Sequence, residues 1–142
     1  MINLSARGTY IKSTLDEDVP NLSSIKGDSA PFVPKTTFTV SAEYEQPLVE
    51  DYMGFVWFNL QYTGDRATEF NVNGPNYKKM DAYTVANFRV GVRFRHHEVS
   101  LFANNLFDDV GVVRSIARPP FDPPASMHVN TRTIGITLRG HY

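Results

Sequence analysis

The sequence predicts an all-β fold, an antiparallel meander of about six strands. Three observations support this prediction: apolar and polar residues alternate along six segments, no long segment shows the apolar period of a helix, and most Pro and Gly residues lie between the alternating segments. Alternation with a period of two places apolar side chains on one face of a strand and polar side chains on the other. The predicted function therefore depends on whether the apolar face packs into a protein core or contacts the lipid of a membrane.

The alternating segments and their connections have a regular order. The predicted strands comprise residues 2–12, 36–45, 53–64, 83–95, 98–107 and 131–142. The connections alternate between long and short, at residues 13–35, 46–52, 65–82, 96–97 and 108–129. In a meander, this alternation places the long loops at one rim of the sheet and the short turns at the other.

Composition excludes several classes of protein. Fourteen Lys and Arg residues against fifteen Asp and Glu give a net charge of -1, which leaves no basic footprint for nucleic acid. The chain has no cysteine, and this excludes a disulfide framework and a thiolate metal site. Residues 1–13 do not read as a signal peptide, and no stretch approaches the roughly 18 apolar residues of a spanning helix. We therefore expect any contact with a membrane to be made by strands.

The aromatic residues of the apolar face favour such a contact. They are predicted to lie in two belts, as at the two interfaces of a membrane barrel. The belt near the loops comprises Tyr10, Phe38 and Tyr62, and the belt near the turns comprises Tyr44, Phe94 and Tyr142, with mainly Val, Leu, Ile and Ala between them. Strands of this length also match the roughly 9–11 residues that a tilted strand needs to cross the hydrocarbon.

Three segments resemble the TonB-dependent receptors of the outer membrane. LFANNLFDD at residues 101–109 resembles the Asn-Leu-Phe-Asp signature in the penultimate strand of that family. APFVPKTTFTVSAEYEQPL at residues 30–48 is similar to the Val-Pro-Lys-x-x-Phe start of a family strand, and YTVANFRVGVRF at residues 83–94 is similar to the strand before the last hairpin. The order and spacing of the three segments agree with this resemblance, which covers nearly the whole chain.

The resemblance implies that residues 1–142 are the C-terminal segment of a transmembrane β-barrel of about 22 strands, without a plug domain. Taken alone, six strands would form a curved open sheet, because membrane barrels close with about eight strands or more. The last strand resembles the signal that outer-membrane assembly factors read, here carried by Ile134, Ile136, Leu138 and Tyr142. Tyr142 replaces the commoner Phe and Gly140 leaves a gap in the apolar face, so we expect a somewhat weakened signal.

The polar face carries charged side chains that would line the barrel interior. These side chains are Arg7, Glu43, Arg89, Arg93 and Arg139. Charges in such a place have to be paired or hydrated, and we expect Arg7 and Glu43 to join the contacts that the three other residues make with the plug of a complete receptor. In a complete receptor they would either meet carboxylates of the plug or line a hydrated wall, and both alternatives remain open.

Two of the long loops carry candidate ligand-binding residues. Residues 69–79 mix aromatic, amide and glycine residues as binding loops do, and residues 113–128 are stiffened by four prolines. The candidates are Phe70, Asn71, Asn73, Tyr77, Arg114 and Arg118. Ordinary loop chemistry is the alternative for all of them.

The remaining polar groups are interpreted as structural. His96 and His97 would project to opposite faces, which is unsuited to binding one metal, so we expect them to line a turn. The acidic residues of the first loop lack the spacing of a calcium loop and are interpreted as a solvated segment. No nucleophile and base accompany Asp108 and Asp109, which argues against an enzyme. No metal or cofactor is predicted.

Two functions from different classes remain. The resemblance implies part of an outer-membrane receptor of a Gram-negative bacterium, which binds a scarce nutrient of the siderophore, vitamin or carbohydrate class through extracellular loops for energised uptake. Its partners would be outer-membrane lipid, the remaining barrel and plug, the TonB system and a small-molecule substrate. The alternative is a small soluble β-barrel or sandwich that binds a ligand or carbohydrate, with its apolar faces turned inward.

The two functions differ in what they predict for the faces of the sheet. The receptor requires an exposed, convex apolar face and a concave polar face. The residues predicted for the convex face are Val40, Phe58, Val90, Leu101 and Ile136, and those predicted for the concave face are Thr39, Asn59, Arg89 and Ser100. A soluble sandwich would pack the first set into a two-layer core.

Overall fold

β-Strands are the main secondary structure of the protein. The computed structural model describes residues 1–118 and 121–140, and the helix it contains there is a single 3-10 turn at Pro20–Leu22. No helix in this part of the chain is long and apolar enough to cross a membrane. The strands are β1 (Ile2–Tyr10), β2 (Thr36–Val49), β3 (Tyr52–Thr63), β4 (Arg66–Ala67), β5 (Lys79–Met80), β6 (Tyr83–Phe94), β7 (His97–Asn104), β8 (Val112–Arg118), β9 (Phe121–His128) and β10 (Thr133–Gly140).

Six strands form the main sheet in the order β1-β2-β3-β6-β7-β10, and every neighbouring pair is antiparallel. The predicted six-stranded meander is therefore confirmed. In the described parts of the chain, β1 and β10 each pair on one side only, so the sheet is open. Two of the long connections each contain a small hairpin: β4 pairs with β5 within residues 65–82, and β8 pairs with β9 within residues 108–129. The connection predicted at residues 108–129 is thus not a plain loop.

The turn between β2 and β3 is tighter than predicted. β2 does not end at Glu45 but continues to Val49, which leaves a turn at residues 50–51. Asp51 has a φ of 66°, the left-handed conformation that tight two-residue turns favour. A register shift between Pro47 and Val49 accommodates the proline, which has no N–H to donate to the neighbouring strand.

The turn between β6 and β7 also differs from the prediction by one residue. His97 pairs with Phe94, so the turn consists of Arg95 and His96. Arg95 takes the left-handed conformation there, with a φ of 49°. The interpretation of His97 as a turn residue is therefore wrong, because the turn lies one residue earlier than predicted and His97 is the first residue of β7.

The register gathers the apolar side chains of the main sheet on one face. Val90 lies opposite Leu101, and Leu101 lies opposite Ile136. No second layer of the described chain covers this face, since Leu101 and Ile136 expose 54% and 66% of their surface. The sheet is therefore a single layer, in contrast to the two-layer core of a sandwich.

Stacked aromatic pairs mark both ends of the apolar face. Near the loops, the ring centroids of Phe38 and Tyr62 lie 5.1 Å apart, and near the turns those of Tyr52 and Phe94 lie 4.3 Å apart. The register explains both pairs, since the partners lie directly opposite each other on neighbouring strands. A third facing pair of phenylalanines on β3 and β6 interrupts the predicted aliphatic band between them.

Asn105 ends β7 and closes the third long loop. Its side chain is buried, and its φ of 48° turns the backbone out of the strand. The amide nitrogen of its side chain donates hydrogen bonds to the carbonyl oxygens of Asp109 and Asn130, both at 2.9 Å. Its backbone N–H donates to Oδ1 of Asn87 on β6 at 3.1 Å. β7 therefore ends earlier than predicted, because Asn105 ties both ends of the loop together.

Candidate functional site

The polar face of the main sheet brings charged and aromatic side chains together near the turns. Neighbouring strands place Glu43 opposite Trp57 and Trp57 opposite Arg89. We call the side chains around the resulting cavity of about 230 Å³ the polar-face cluster: Glu43, Phe55, Trp57, Arg89, Arg93, Glu98 and Arg139.

Arg93 is the centre of the charge network in this cluster. Its guanidinium pairs with the carboxylates of Glu45, of Glu98 at 3.3 Å and of Glu43 at 3.9 Å. Glu98, which is largely buried, also lies 3.9 Å from the guanidinium of Arg139. Two of the arginines predicted on the polar face are thus paired by carboxylates of the same sheet.

Arg89 differs from these two arginines. Within residues 1–118 and 121–140, its Nε atom is buried and has no hydrogen-bond partner. Its neighbours across the sheet are Trp57 and Phe102, whose side chains offer no acceptor. A buried guanidinium nitrogen without an acceptor costs free energy. The Nε–H group of Arg89 is therefore free to donate a hydrogen bond to an acceptor from outside the cluster.

Arg7 lies on the same face but not in the cluster. It stands opposite Thr39 on β2, whereas Asn3 stands opposite Glu43. The separation of four residues along the strand puts Arg7 roughly 13 Å nearer the loops than Glu43. The register sets Arg7 and Glu43 at different heights, so Arg7 is not part of the polar-face cluster.

Two aromatic rings cover glycines on the polar face. Phe55 lies opposite Gly91 and Phe102 lies opposite Gly135. A Cβ atom on either glycine would come within 2.8 Å of the Phe55 ring or 2.6 Å of the Phe102 ring. Sequence reasoning missed this packing, although glycines in the polar positions of β6 and β10 are the signal that could have revealed it.

The first two long loops enclose a cleft at the opposite rim of the sheet. Its volume is about 600 Å³, and we call it the loop cleft. Its walls are formed by Asn21, Leu22, Ser23 and Pro31 of the first loop and by Thr68, Glu69, Phe70, Asn71, Asn73, Gly74 and Pro75 of the second.

Hydrogen bonds hold the walls of the loop cleft in place. The backbone N–H of Phe32 donates to the carbonyl oxygen of Ala67 at 2.8 Å, which joins the first loop to the β4–β5 hairpin. Phe32 has a φ of 61°, a costly conformation for an aromatic residue that persists where the surrounding structure imposes it. In the second loop, the backbone N–H of Asn73 donates to Oδ1 of Asn71 at 2.8 Å.

The predicted ligand-binding residues of the second loop mostly meet in this cleft. Phe70, Asn71 and Asn73 line it, together with first-loop residues that sequence reasoning had not singled out. Tyr77 is not part of the lining. It follows the turn at the tip of the loop, where its backbone N–H donates to the carbonyl oxygen of Gly74 at 3.1 Å.

Arg66 fastens the β8–β9 hairpin to the rest of the molecule. Its guanidinium is buried, donates to the carbonyl oxygens of Val112 and Val113 at 2.8 Å each, and lies 5.5 Å from an aromatic ring at the start of β6. No sequence signal had marked this residue. Of the two predicted ligand-binding arginines of this hairpin, Arg114 is exposed and the side chain of Arg118 lies outside the described residues.

The acidic residues of the first loop accept hydrogen bonds from the backbone of the same loop. The carboxylates of Asp18 and Asp28 accept hydrogen bonds from the backbone N–H groups of Lys26 and Ile25 at 2.8 and 2.9 Å. In the part of the chain that the structure describes, no group of three or more His, Cys, Asp or Glu side chains is placed to hold a metal ion. These carboxylates thus stabilise turns of the loop.

Asp108 and Asp109 have a similar structural role in the third loop. Asp108 accepts a hydrogen bond from the backbone N–H of Arg132 at 2.7 Å, and Asp109 accepts one from Thr84 at 2.8 Å. Both carboxylates therefore fasten the loop to the strands beside it, in agreement with the structural interpretation.

The last strand presents the predicted assembly residues on the apolar face. Ile134, Ile136 and Leu138 are highly exposed, with Leu138 at 74%. β10 pairs with β7 along one edge, and its other edge is unpaired in the described residues. Tyr142 lies outside the described residues.

Comparison with known proteins identifies the family to which this sheet corresponds. The family model described as TonB dependent receptor-like, beta-barrel matches residues 2–106. The matched segment begins with β1 and ends within the Asn-Leu-Phe-Asp segment after β7. No solved structure matches the chain.

Proposed function

Because the chain belongs to the family of TonB-dependent receptor-like β-barrels, we propose that residues 1–142 form the C-terminal part of a receptor barrel in the outer membrane of a Gram-negative bacterium. The receptor binds a scarce nutrient through its outer loops and takes it up with energy from the TonB system. The observation that supports this function best is the single-layered sheet, with an exposed apolar face on one side and paired charges on the other.

In this proposal, the apolar face is the convex outer surface of the barrel and meets lipid. Soluble monomers rarely expose a continuous apolar surface of this kind, whereas the outer surface of a membrane barrel carries one and faces lipid. The stacked pairs Phe38–Tyr62 and Tyr52–Phe94 then lie at the two membrane interfaces, where aromatic rings are favoured. The exposed residues of β10, with Tyr142 beyond them, serve as the assembly signal.

The polar face then lines the lumen and faces the plug. Arg93 and Arg139 have carboxylate partners in the wall itself, so we propose that these ion pairs stabilise the wall of the barrel. Arg89 lacks an acceptor for Nε among the described residues and is the proposed contact for a plug carboxylate or carbonyl. Arg7, nearer the loops, meets water or the upper part of the plug.

The two edges of the sheet also support a larger barrel. Unpaired edge strands template aggregation in water, and closure of a barrel removes them. We propose that β1 and β10 pair with further strands of a barrel of about 22 strands. The long loops then lie together at the extracellular rim, and the nutrient belongs to the siderophore, vitamin or carbohydrate class.

A soluble ligand-binding barrel or sandwich is the competing function. It would need a second layer over Leu101 and Ile136, and the described residues supply none. Detergent dependence distinguishes the two functions, since a soluble module would stay monomeric in water without detergent.

Two substitutions to arginine in the full-length receptor test which face of the sheet contacts lipid. Val90→Arg places a charge on the apolar face at mid-height, where it costs about 2–4 kcal/mol in a lipid-facing strand. Asn59→Arg places the same charge at mid-height on the polar face. We expect the first variant to deplete heat-modifiable, folded receptor from outer-membrane fractions and the second to leave it near the wild-type level. Equal levels of both variants, or a receptor soluble without detergent, would contradict the proposal.

A further inference from the structure

The charged groups of the loop cleft are unfavourable for anionic ligands. Among the described residues, its walls contain one carboxylate, that of Glu69, and no Lys, Arg or His side chain. Lys79, in the same hairpin, is paired with Asp65 at 3.2 Å. Sites for carboxylate, phosphate or catecholate anions supply cationic donors, because charge-assisted hydrogen bonds provide most of the affinity for such groups. The cleft therefore does not suit an anionic ligand.

The polar groups of the cleft suit a ligand with many hydroxyls. Asn21, Asn71 and Asn73 each carry an amide that both donates and accepts hydrogen bonds, and Ser23 adds a hydroxyl that does the same. Of these groups, Oδ1 of Asn71 already accepts the backbone N–H of Asn73. A sugar hydroxyl also donates and accepts, so uncharged groups of this kind match it without leaving an unpaired charge.

Apolar side chains form part of the cleft wall. Phe70 is half-buried in the cleft wall, and Pro31 and Pro75 add rigid aliphatic surface. A ring of this kind contributes a large apolar contact with few rotatable bonds. Pyranose rings have an apolar face made of C–H groups, and this face can pack on the Phe70 ring while the hydroxyls around it meet the amides.

The cleft walls are held before any ligand arrives. The Phe32–Ala67 hydrogen bond joins the first loop to the second, and Phe32 adopts a costly left-handed conformation to make it. Preformed walls reduce the ordering cost of binding. The cleft volume of about 600 Å³ also lies within the roughly 300–1,000 Å³ of small-molecule sites.

We infer that the loop cleft binds a neutral, polyhydroxylated ligand of the oligosaccharide class. The inference rests on the proposed receptor function and specifies its substrate: a sugar ring stacks on Phe70, and the amides of Asn21, Asn71 and Asn73 bind its hydroxyls. Glu69 accepts hydrogen bonds from further hydroxyls of a neutral ligand, whereas its negative charge repels an anion.

The experiment uses the full-length receptor in outer-membrane vesicles and measures binding by isothermal titration. The probes are three neutral hexasaccharides, maltohexaose, laminarihexaose and xylohexaose, and two contrasting nutrients, an anionic ferric tris-catecholate and cyanocobalamin. We expect saturable binding of at least one hexasaccharide and no binding of the ferric complex. Failure of all three hexasaccharides to bind would overturn the inference.

Substitutions in and beside the loop cleft test whether the hexasaccharide binds there. We expect Phe70→Ala to weaken the hexasaccharide by about tenfold or more, as removal of a central aromatic contact does. Phe70→Tyr keeps the ring and should restore affinity to within about threefold of the wild type. Val72→Ala is the matched control, because Val72 is exposed and does not line the cleft. Equal affinities of Phe70→Ala and Val72→Ala would overturn the assignment to this site.

The same experiment separates this inference from the proposed function. If the ferric complex or cyanocobalamin binds instead and its uptake stops when TonB is deleted, the receptor function stands and the oligosaccharide class is wrong. If the protein is absent from the outer membrane, the receptor function itself fails. The amount of heat-modifiable receptor is measured for every variant, so that loss of folding is not read as loss of binding.

Discussion

Phe55 and Gly91 lie directly opposite each other on β3 and β6, and the ring of Phe55 covers the glycine on the polar face of the sheet. A Cβ atom at Gly91 would lie 2.8 Å from the Phe55 ring and 2.6 Å from Cβ of Ser100. The guanidinium of Arg93 lies over the same ring, 4.3 Å from its centroid. The glycine thus makes room for the ring on which the central arginine of the polar-face cluster rests.

We expect Gly91→Ala to destabilise the receptor by about 1–3 kcal/mol, because the added methyl group overpacks a site whose neighbours are backbone and a buried ring. The measurement is the free energy of unfolding of the full-length receptor in urea and lipid vesicles. Gly8→Ala is the control, since its Cβ would meet nothing nearer than an ordinary contact at 3.9 Å from the carbonyl oxygen of Thr37. A cost for Gly91→Ala no greater than that of the control would show that this packing is not tight.

Substitution of Arg93 tests the charge network. Arg93→Gln removes the pairs with Glu43, Glu45 and Glu98, and it leaves the largely buried Glu98 with only the longer contact to Arg139. We expect a loss of about 1–3 kcal/mol in the free energy of unfolding, because the largely buried carboxylate of Glu98 loses its nearer charged donor.

The control for this substitution lies on the same face. Arg7→Gln changes an exposed arginine outside the cluster, and we expect it to change the free energy of unfolding by less than about 0.5 kcal/mol. Similar losses for both variants would mean that the arginines act through overall charge and not through the specific pairs of Arg93.

Asn105 is expected to control the order of the third long loop. Asn105→Ala removes the donor to Asp109 and Asn130 and places a less suited residue at a φ of 48°, so we expect a loss of about 2–3 kcal/mol. Limited proteolysis should cut residues 106–132 much faster in this variant. Asn104→Ala, at the exposed neighbouring position, should be cut at the wild-type rate; equally fast cleavage of both variants would rule out this role.

Removal of the chain end tests the assembly signal. We expect deletion of residues 138–142 to abolish insertion of the full-length receptor, because it removes the aromatic end and the last exposed apolar residue of β10. Tyr142→Phe keeps the aromatic ring and should preserve or improve insertion. The measurement is heat-modifiable receptor in outer-membrane fractions, and normal levels after the deletion would mean that the alternation of this strand serves another purpose.

The sequence by itself determined the number of main strands, their antiparallel order and the face on which each side chain lies. A period of two is a local property, readable within ten residues and independent of what the strand pairs with. The long and short connections likewise determined that the loops share one rim. For the same reason, the alternation alone predicted the apolar face on which Leu101 and Ile136 lie exposed.

Tertiary structure alone decided which side chains on a face meet. Contacts across a sheet depend on register, and a small change in the length of a turn moves every pair along the strands. The extension of β2 to Val49 places Glu45 opposite Phe55 and within reach of Arg93, while Arg7 remains at another height. The loop cleft depends still more on long-range structure, because its two walls are separated along the chain by the whole of β2 and β3.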